Sequence, residues 1–559
     1  MVKQLLKFVT REIGGLHEAA YLLGIFAILS QLLALVRDRL LAYSFGTSHA
    51  LDLYYAAFRI PDFVFAAVAS IVSISILIPF FMEKIDQGEK EAREFISGIF
   101  SAFFLIIAIV SVIVFCATPF LLKFFFPVFA NSTDFGTLVT MTRIMLLSPV
   151  FLGFSNFFAS ITQIYKRFFI YAISPLVYNI GIIIGILFLY PLFGLKGLAM
   201  GVVLGAFLHC FIQLPFVWQK SLFPRFSFNF KNVWLRKVLL TSFPRTLTVS
   251  SNEIAEFFLV ALAASLAGGA ISVFNFSWNL QSVPLSVIGV SYSLAAFPVL
   301  TRLFTSGDTK RFVEQMIVST KHILFWSVPV MVLFVVLRAQ IVRVILGSGN
   351  FNWADTRLTA AALALFTLSL IPQSLVSLFV RAYYSRGDTK KPLLMNIFSA
   401  ILIVILSYGF VRLFNLSPFF KYFIETLFRV DDLPGTIVLM LPLGFTIGVT
   451  INMIIHWIAF ELDFRGYSRS LVRPFFEIFS AAILMGAVSH YLLVLLGSYF
   501  SPNTILGVFL HGFCAGIGGI WVAIIVLVAL KNQQLVEVTN ALKSRIWKAK
   551  IVPADPSGA

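Results

Sequence analysis

Residues 94–119, EFISGIFSAFFLIIAIVSVIVFCATP, carry one charge, Glu94, at their first position and none after it. About 20 apolar residues are enough for a helix to cross the hydrocarbon of a bilayer, so this run reads as a membrane span. Working outward, similar runs recur at 19–44, 51–81, 136–165, 168–190, 195–218, 238–266, 270–301, 314–337, 355–383, 390–413, 436–461, 472–499 and 503–530, which makes fourteen expected spans. A chain that is 59% hydrophobic and 12% charged exposes more apolar surface than one aqueous core could bury. Its mean hydropathy of +0.94 says the same. The fold class is therefore an all-α integral membrane protein.

The basic residues set the topology. The expected outer loops hold only Lys123, Lys196, Arg338, Arg343, Arg357, Arg412, Lys421 and Arg429 of the 42 lysines and arginines. Arg37, Arg39, Arg59, Arg143 and Arg245 fall inside spans, and the remainder gather on every second loop and in the tail. That bias predicts cytoplasmic N- and C-termini. A net charge of +17 would suggest nucleic acid in a soluble protein, but here it faces anionic membrane lipids, so no nucleic-acid partner is expected. The first run lacks a small-residue cleavage site and continues into Arg37-Asp38-Arg39, which argues against a removed signal peptide. Cys116, Cys210 and Cys514 are far apart in apolar segments and read as packing residues rather than disulfides or metal ligands.

An internal repeat organises the spans. Pro175-Leu176-Val177-Tyr178-Asn179-Ile180 recurs as Pro392-Leu393-Leu394-Met395-Asn396-Ile397, each after an aromatic-basic loop. Ile78-Pro79 and Phe297-Pro298 likewise each close a second span before a charged loop. Two six-span halves that start on the same side imply a pseudo-twofold along the membrane normal and a cleft between the halves, as in a transporter. The expected segments are a surface helix at 1–18, an N-lobe at 19–220, a linker at 221–237, a C-lobe at 238–462, two further spans at 463–531 and a basic tail at 532–559.

Charges inside the spans carry the chemistry. Arg37, Asp38, Arg39, Asp52, Arg59 and Asp62 crowd the first two spans. Each costs roughly 2.5–3.5 kcal/mol at mid-membrane, so they must face protein or water. The plainer reading is a set of ion pairs in which Asp38 and Asp52 neutralise the arginines. The functional one gives Arg37 and Arg59 to an anionic ligand, because the guanidinium fork suits bidentate capture of phosphate. Pro61 can bend the second span, and Gly46 and Gly268-Gly269 suit tight reversals. Glu253 and Glu256, one turn apart, could hold a proton or Na+ with Asn396, Thr450 or Asn452 as neutral donors. Alternatively Glu253 is hydrated or pairs with Arg245. His209, His456, His490 and His511 are isolated and read as packing or interfacial residues, and no phosphate-cradling loop is present. Transport would then be secondary, with no cofactor and with coupling to membrane potential, Na+ or H+; no covalent catalysis is expected.

The run SQLLALVRDRLLAYSFGTSHALDLYYAAFRIPDF, residues 30–63, resembles the N-terminal signature of the MurJ (MviN) family, and RAYYSRGDTKKP, residues 381–392, resembles the same family's segment before its eleventh helix. The resemblance implies a flippase for the undecaprenyl-linked peptidoglycan precursor lipid II in the bacterial inner membrane. It also implies membership of the multidrug/oligosaccharidyl-lipid/polysaccharide exporter superfamily and, with wall synthesis, enzymes of that pathway as partners. Ser30, Arg37, Asp38 and Asp52 match the family pattern, and Arg59 stands where members often carry a base. Departures are Gln31, Phe65 and Ala66, Ser70, and Trp278-Asn279, which occupies the place of a family Asp-Arg pair on the eighth span. Expected substrate contacts are Ser30, Arg37, Asp38, Asp52, Arg59 and Asn279. With cations missing, a less charged polyprenyl-linked sugar, compensation by Arg39, Arg143 or Arg245, and loss of transport in a membrane scaffold stay open. So does a cation-coupled drug exporter.

Overall fold

A computed structural model describes residues 16–69, 81, 84, 87–219, 223–227, 253–501 and 504–547. The expected surface helix up to residue 15, Ser70, Ile78-Pro79, Arg245, most of the 221–237 linker and the last residues of the tail lie outside the described residues. All regular structure among the described residues is helical, as a chain in hydrocarbon requires, because a helix satisfies its own backbone donors and acceptors.

The long helices are α1 (Leu16–Phe45), α2 (His49–Ala69), α3 (Glu89–Phe125), α4 (Phe135–Ile164), α5 (Phe168–Phe193), α6 (Leu195–Trp218), α7 (253–264), α8 (Ala270–Thr305), α9 (Thr309–Val336), α10 (Trp353–Ser385), α11 (Lys390–Leu416), α12 (Thr436–Asp463), α13 (Ser468–Leu496) and α14 (Ile505–Ala529). Among the described residues eleven of them, α3 to α6 and α8 to α14, are long and apolar enough to cross a membrane. Helices α1 and α2, of 30 and 21 residues, also have spanning length and carry the charges singled out above. Helix α2 continues through Pro61. Single turns of π-helix interrupt α5 at Gly185–Leu189 and α8 at Leu285–Val290.

The chain forms two compact units. One comprises residues 1–283, 345–366 and 388–452. In it α5 packs against α1 and α6, and α2 lies along α4. Small residues let α5 and α6 touch backbone to backbone: a Cβ on Gly181 would stand 2.2 Å from the Gly205 Cα, and one on Gly185 2.5 Å from the Gly201 Cα. The second half repeats the device, for a Cβ on Gly444 of α12 would lie 2.7 Å from the Ser407 Cα of α11. The other unit comprises residues 284–344, 367–387 and 453–559. Here α13 packs along α14 and α9 around Ile323, Ala481, Ala482 and Met485.

Candidate functional site

Two guanidinium clusters are built at matching depth in the first unit. Arg37 is eight residues from the end of α1 and Arg59 ten residues from the start of α2, so both sit roughly 12–15 Å along their helices from the turn that joins them. Arg37 donates from Nε and Nη2 to Asp38 Oδ1 at 2.9 and 2.8 Å, and from Nη1 to Asn179 Oδ1 on α5 at 3.1 Å. The other Asp38 oxygen accepts from Asn279 Nδ2 on α8 at 3.0 Å. Asp38 is buried, whereas one fifth of the Arg37 side chain (20%) remains exposed. Three of the five guanidinium N–H groups are engaged in these bonds.

Arg59 is enclosed. It donates from Nη1 to Glu256 Oε1 on α7 at 2.6 Å and from Nη2 to Asn275 Oδ1 on α8 at 2.5 Å, while its Nε has no hydrogen-bond partner among the described residues. Asn275 and Asn279 are four residues apart and so share one face of α8. Through them α8 reaches both arginine clusters. Asp62, one turn after Arg59, is exposed, and Glu253, one turn before Glu256, is half-buried. Ser30 lies half-buried on α1, two turns before Arg37.

A latch closes the end of the unit that carries the α1–α2 turn. Asp52, expected as a neutraliser of the arginines and as a substrate contact, makes no ion pair with an arginine among the described residues: its carboxylate accepts from Gly269 N (2.6 Å), Ser272 N (2.8 Å) and Ser272 Oγ (2.7 Å), capping the start of α8. A helix N-terminus presents free N–H groups and partial positive charge, which a buried carboxylate satisfies. Beside it Thr47 Oγ1 donates to Asp355, Asn350 N donates to the Tyr43 carbonyl at 3.0 Å, and Asn350 Nδ2 to the Ser44 carbonyl at 2.7 Å. Gly269, at φ +87°, passes so close that a Cβ would lie 2.3 Å from the Thr47 carbonyl oxygen. Replacing Asp52 by alanine is expected to lower stability by about 2 kcal/mol, the upper end for a lost cap. A thermal melt in detergent reads this, and a ligand-contact role would instead leave the melt unchanged.

The neutral members of the expected cation set are engaged in hydrogen bonds of their own. Asn396 accepts from Asn452 Nδ2 at 3.1 Å, and the Thr450 hydroxyl donates to the Thr446 carbonyl. No hydrogen bond among the described residues joins either to Glu253 or Glu256; the first pair sits on α11 and α12 and the second on α7. Of the candidate compensators, Arg143 donates to the Phe115 carbonyl and stacks on that ring, and Arg39 donates to the Ile345 carbonyl. Asn179 and Asn275 were not singled out from sequence. Asn179 had a signal, since it is the first copy of the repeat position that Asn396 fills in the second. Trp278 packs in an aromatic group with Phe274, Phe366 and Phe445, leaving Asn279 as the polar contact of that dipeptide.

A family described as "Lipid II flippase MurJ" matches residues 41–511. The chain belongs to the MurJ family. It is 25% identical over 491 residues to a probable lipid II flippase MurJ of Buchnera aphidicola subsp. Schizaphis graminum, covering 87% of this chain and 90% of the relative. To the lipid II flippase MurJ of Burkholderia cenocepacia it is 24% identical over 413 residues, covering 71% of this chain and 79% of the relative. A solved MurJ in an inward closed conformation shares the fold, with a TM-score of 0.71 and 22% identity over 93% of this chain and all of that one. An inward-facing multidrug resistance MATE transporter of the MOP superfamily shares it at a TM-score of 0.63, with 15% identity over 81% of this chain and 99% of that one. As a member of the MurJ family the chain is a transporter rather than a catalyst, and it is a multi-span membrane protein. Where the family resemblance places an arginine on α8, this chain has Asn279, which still donates to Asp38 but without charge.

Proposed function

We propose that this protein moves lipid II, the undecaprenyl-diphosphate-linked peptidoglycan precursor, from the inner to the outer leaflet of the bacterial inner membrane by alternating access. The reading rests above all on Arg37, a partly open guanidinium held in place by Asp38 and Asn179 inside a membrane span. A fixed guanidinium in low dielectric replaces the water that a diphosphate loses on leaving the headgroup layer. Headgroup passage is the barrier to be lowered; the polyprenyl tail exchanges one hydrocarbon contact for another along α13 and α14. The termini are cytoplasmic, and the latch at Asp52, Thr47 and Asp355 closes the outer side, so the cleft between two six-helix lobes opens inward first.

Moving the anion outward is downhill by about 2.3 kcal/mol per charge per 100 mV of inside-negative potential. Arg59 enters when its pair with Glu256 opens. A proton or Na+ taken up at Glu256, beside Glu253, frees the guanidinium and offers a way to reset the empty carrier. Enzymes that make and consume lipid II are the natural partners. In cells depleted of their own lipid II flippase, the wild-type chain is expected to restore growth and Arg37→Ala to fail at equal membrane abundance. Failure of the wild type at good abundance would favour another polyprenyl-linked oligosaccharide as cargo.

A further inference from the structure

Between α11 and α12 the chain makes a short helix, Pro418–Phe428, that is too short to cross a membrane: its 11 residues span roughly 16 Å against about 30 Å of hydrocarbon. Only Ser417 separates it from the end of α11, and the Ser417 Oγ accepts from Phe420 N to start it. Arg429, in the left-handed conformation, stops it. Phe419, Tyr422, Phe423, Thr426 and Leu427 recur at helical spacing and form one exposed face, with Phe419 at 80% and Tyr422 at 66% exposure. Water would be a poor solvent for such a face, and the helix starts where a membrane span has just ended.

The flanks of that face are basic. Arg412, in the last turns of α11, donates from Nε and Nη2 to the Tyr408 hydroxyl at 3.0 and 2.6 Å. Lys421 is half exposed, 5.8 Å from the Phe414 ring centroid. On the covered side Glu425 is buried and accepts from the Thr436 hydroxyl at 2.5 Å. Arg357 binds Asp432 and donates to the Arg429 carbonyl, which holds the Asp432 carboxyl below the usual carboxylate range. The following loop, Leu433 to Gly435, lines a small cavity with Thr47, Gly269 and Asp355 of the latch.

We propose that the Pro418–Phe428 helix is a docking surface for the headgroup–acyl boundary of the surrounding bilayer, with acidic phospholipid as its preferred contact. The aromatic face enters the boundary while Lys421 and Arg412 meet the phosphates, as in amphipathic helices that lie in the membrane plane. Hydrogen bonds at Glu425 and Arg429 then tie the docked helix to the loop beside the latch.

The test uses the full-length protein with Cys116, Cys210 and Cys514 changed to serine and a spin label at Tyr422→Cys, reconstituted into phosphatidylcholine vesicles with and without one quarter phosphatidylglycerol. The ratio of oxygen to nickel-complex collisions is expected to be about three-fold higher than for a label at Asp431→Cys, and to rise about two-fold further with the acidic lipid. Arg412→Gln with Lys421→Gln should keep the first difference and lose the second. A ratio equal to that at Asp431→Cys in both membranes would overturn the proposal. A label shielded from both reagents and broadened by neighbouring labels would also overturn it, by placing a second copy on the face. Insensitivity of the parent to acidic lipid would overturn the headgroup preference.

Discussion

Glu256→Ala is expected to destabilise the protein by about 3–5 kcal/mol, because it leaves the buried Arg59 guanidinium without its counter-charge. Arg59 is 8% exposed and its Nη1 lies 2.6 Å from Glu256 Oε1, so water cannot take over the role of the carboxylate. Asn275 satisfies one N–H but carries no charge. Arg59→Ala alone is expected to cost less, since the Glu256 side chain it leaves behind is more exposed than that of Arg59. The double variant Arg59→Met/Glu256→Met should recover most of the lost stability, because a buried ion pair replaced by apolar residues of similar size is often neutral. Thermal melts in one detergent separate the three. If transport needs Arg59, the double variant will be folded and inactive, which a purely structural pair would not give.

Arg37→Ala is expected to weaken binding of lipid II by about 100-fold, equivalent to roughly 2.7 kcal/mol and within the range for charge-assisted hydrogen bonds. Arg37→Lys should not rescue it. A lysine ammonium cannot reproduce a fork that holds Asp38 with two N–H groups and Asn179 with a third while keeping an edge open. Titration of the purified variants with lipid II in detergent reads the change. Asp38→Asn is expected to show a smaller loss, since it keeps an acceptor for Arg37 while reducing the local negative charge.

The spans and the charged residues inside them were legible because both are local: a run of apolar residues must cross hydrocarbon, and an arginine within it must have a reason. Partner choice was not legible in that way. Whether Arg59 meets Glu256 or Asp62 depends on the register of α2 against α7, and no spacing within either helix encodes it. Asp52 looked like a member of the arginine set because it follows Arg37 and Arg39 closely, yet the turn at Gly46 and the loop at Gly269 bring it to the start of α8 instead. The partners of Glu256, Asn396 and Thr450 were equally out of reach: the residue types fit a cation, but only the packing of their helices sets Glu256 beside Arg59 and Asn396 beside Asn452. Asn179 marks the middle case, since the repeat exposed the position while only the packing of α5 on α1 supplied its arginine.

The account stands on Arg37 and Arg59 lying along the path of a diphosphate. Flipping of fluorescent lipid II in proteoliposomes tests this directly, with the wild type, Arg37→Ala and the folded Arg59→Met/Glu256→Met variant at equal protein density. The account predicts flipping by the wild type, faster under an outward-driving potential, and background rates for both variants. Wild-type rates from either variant would contradict it.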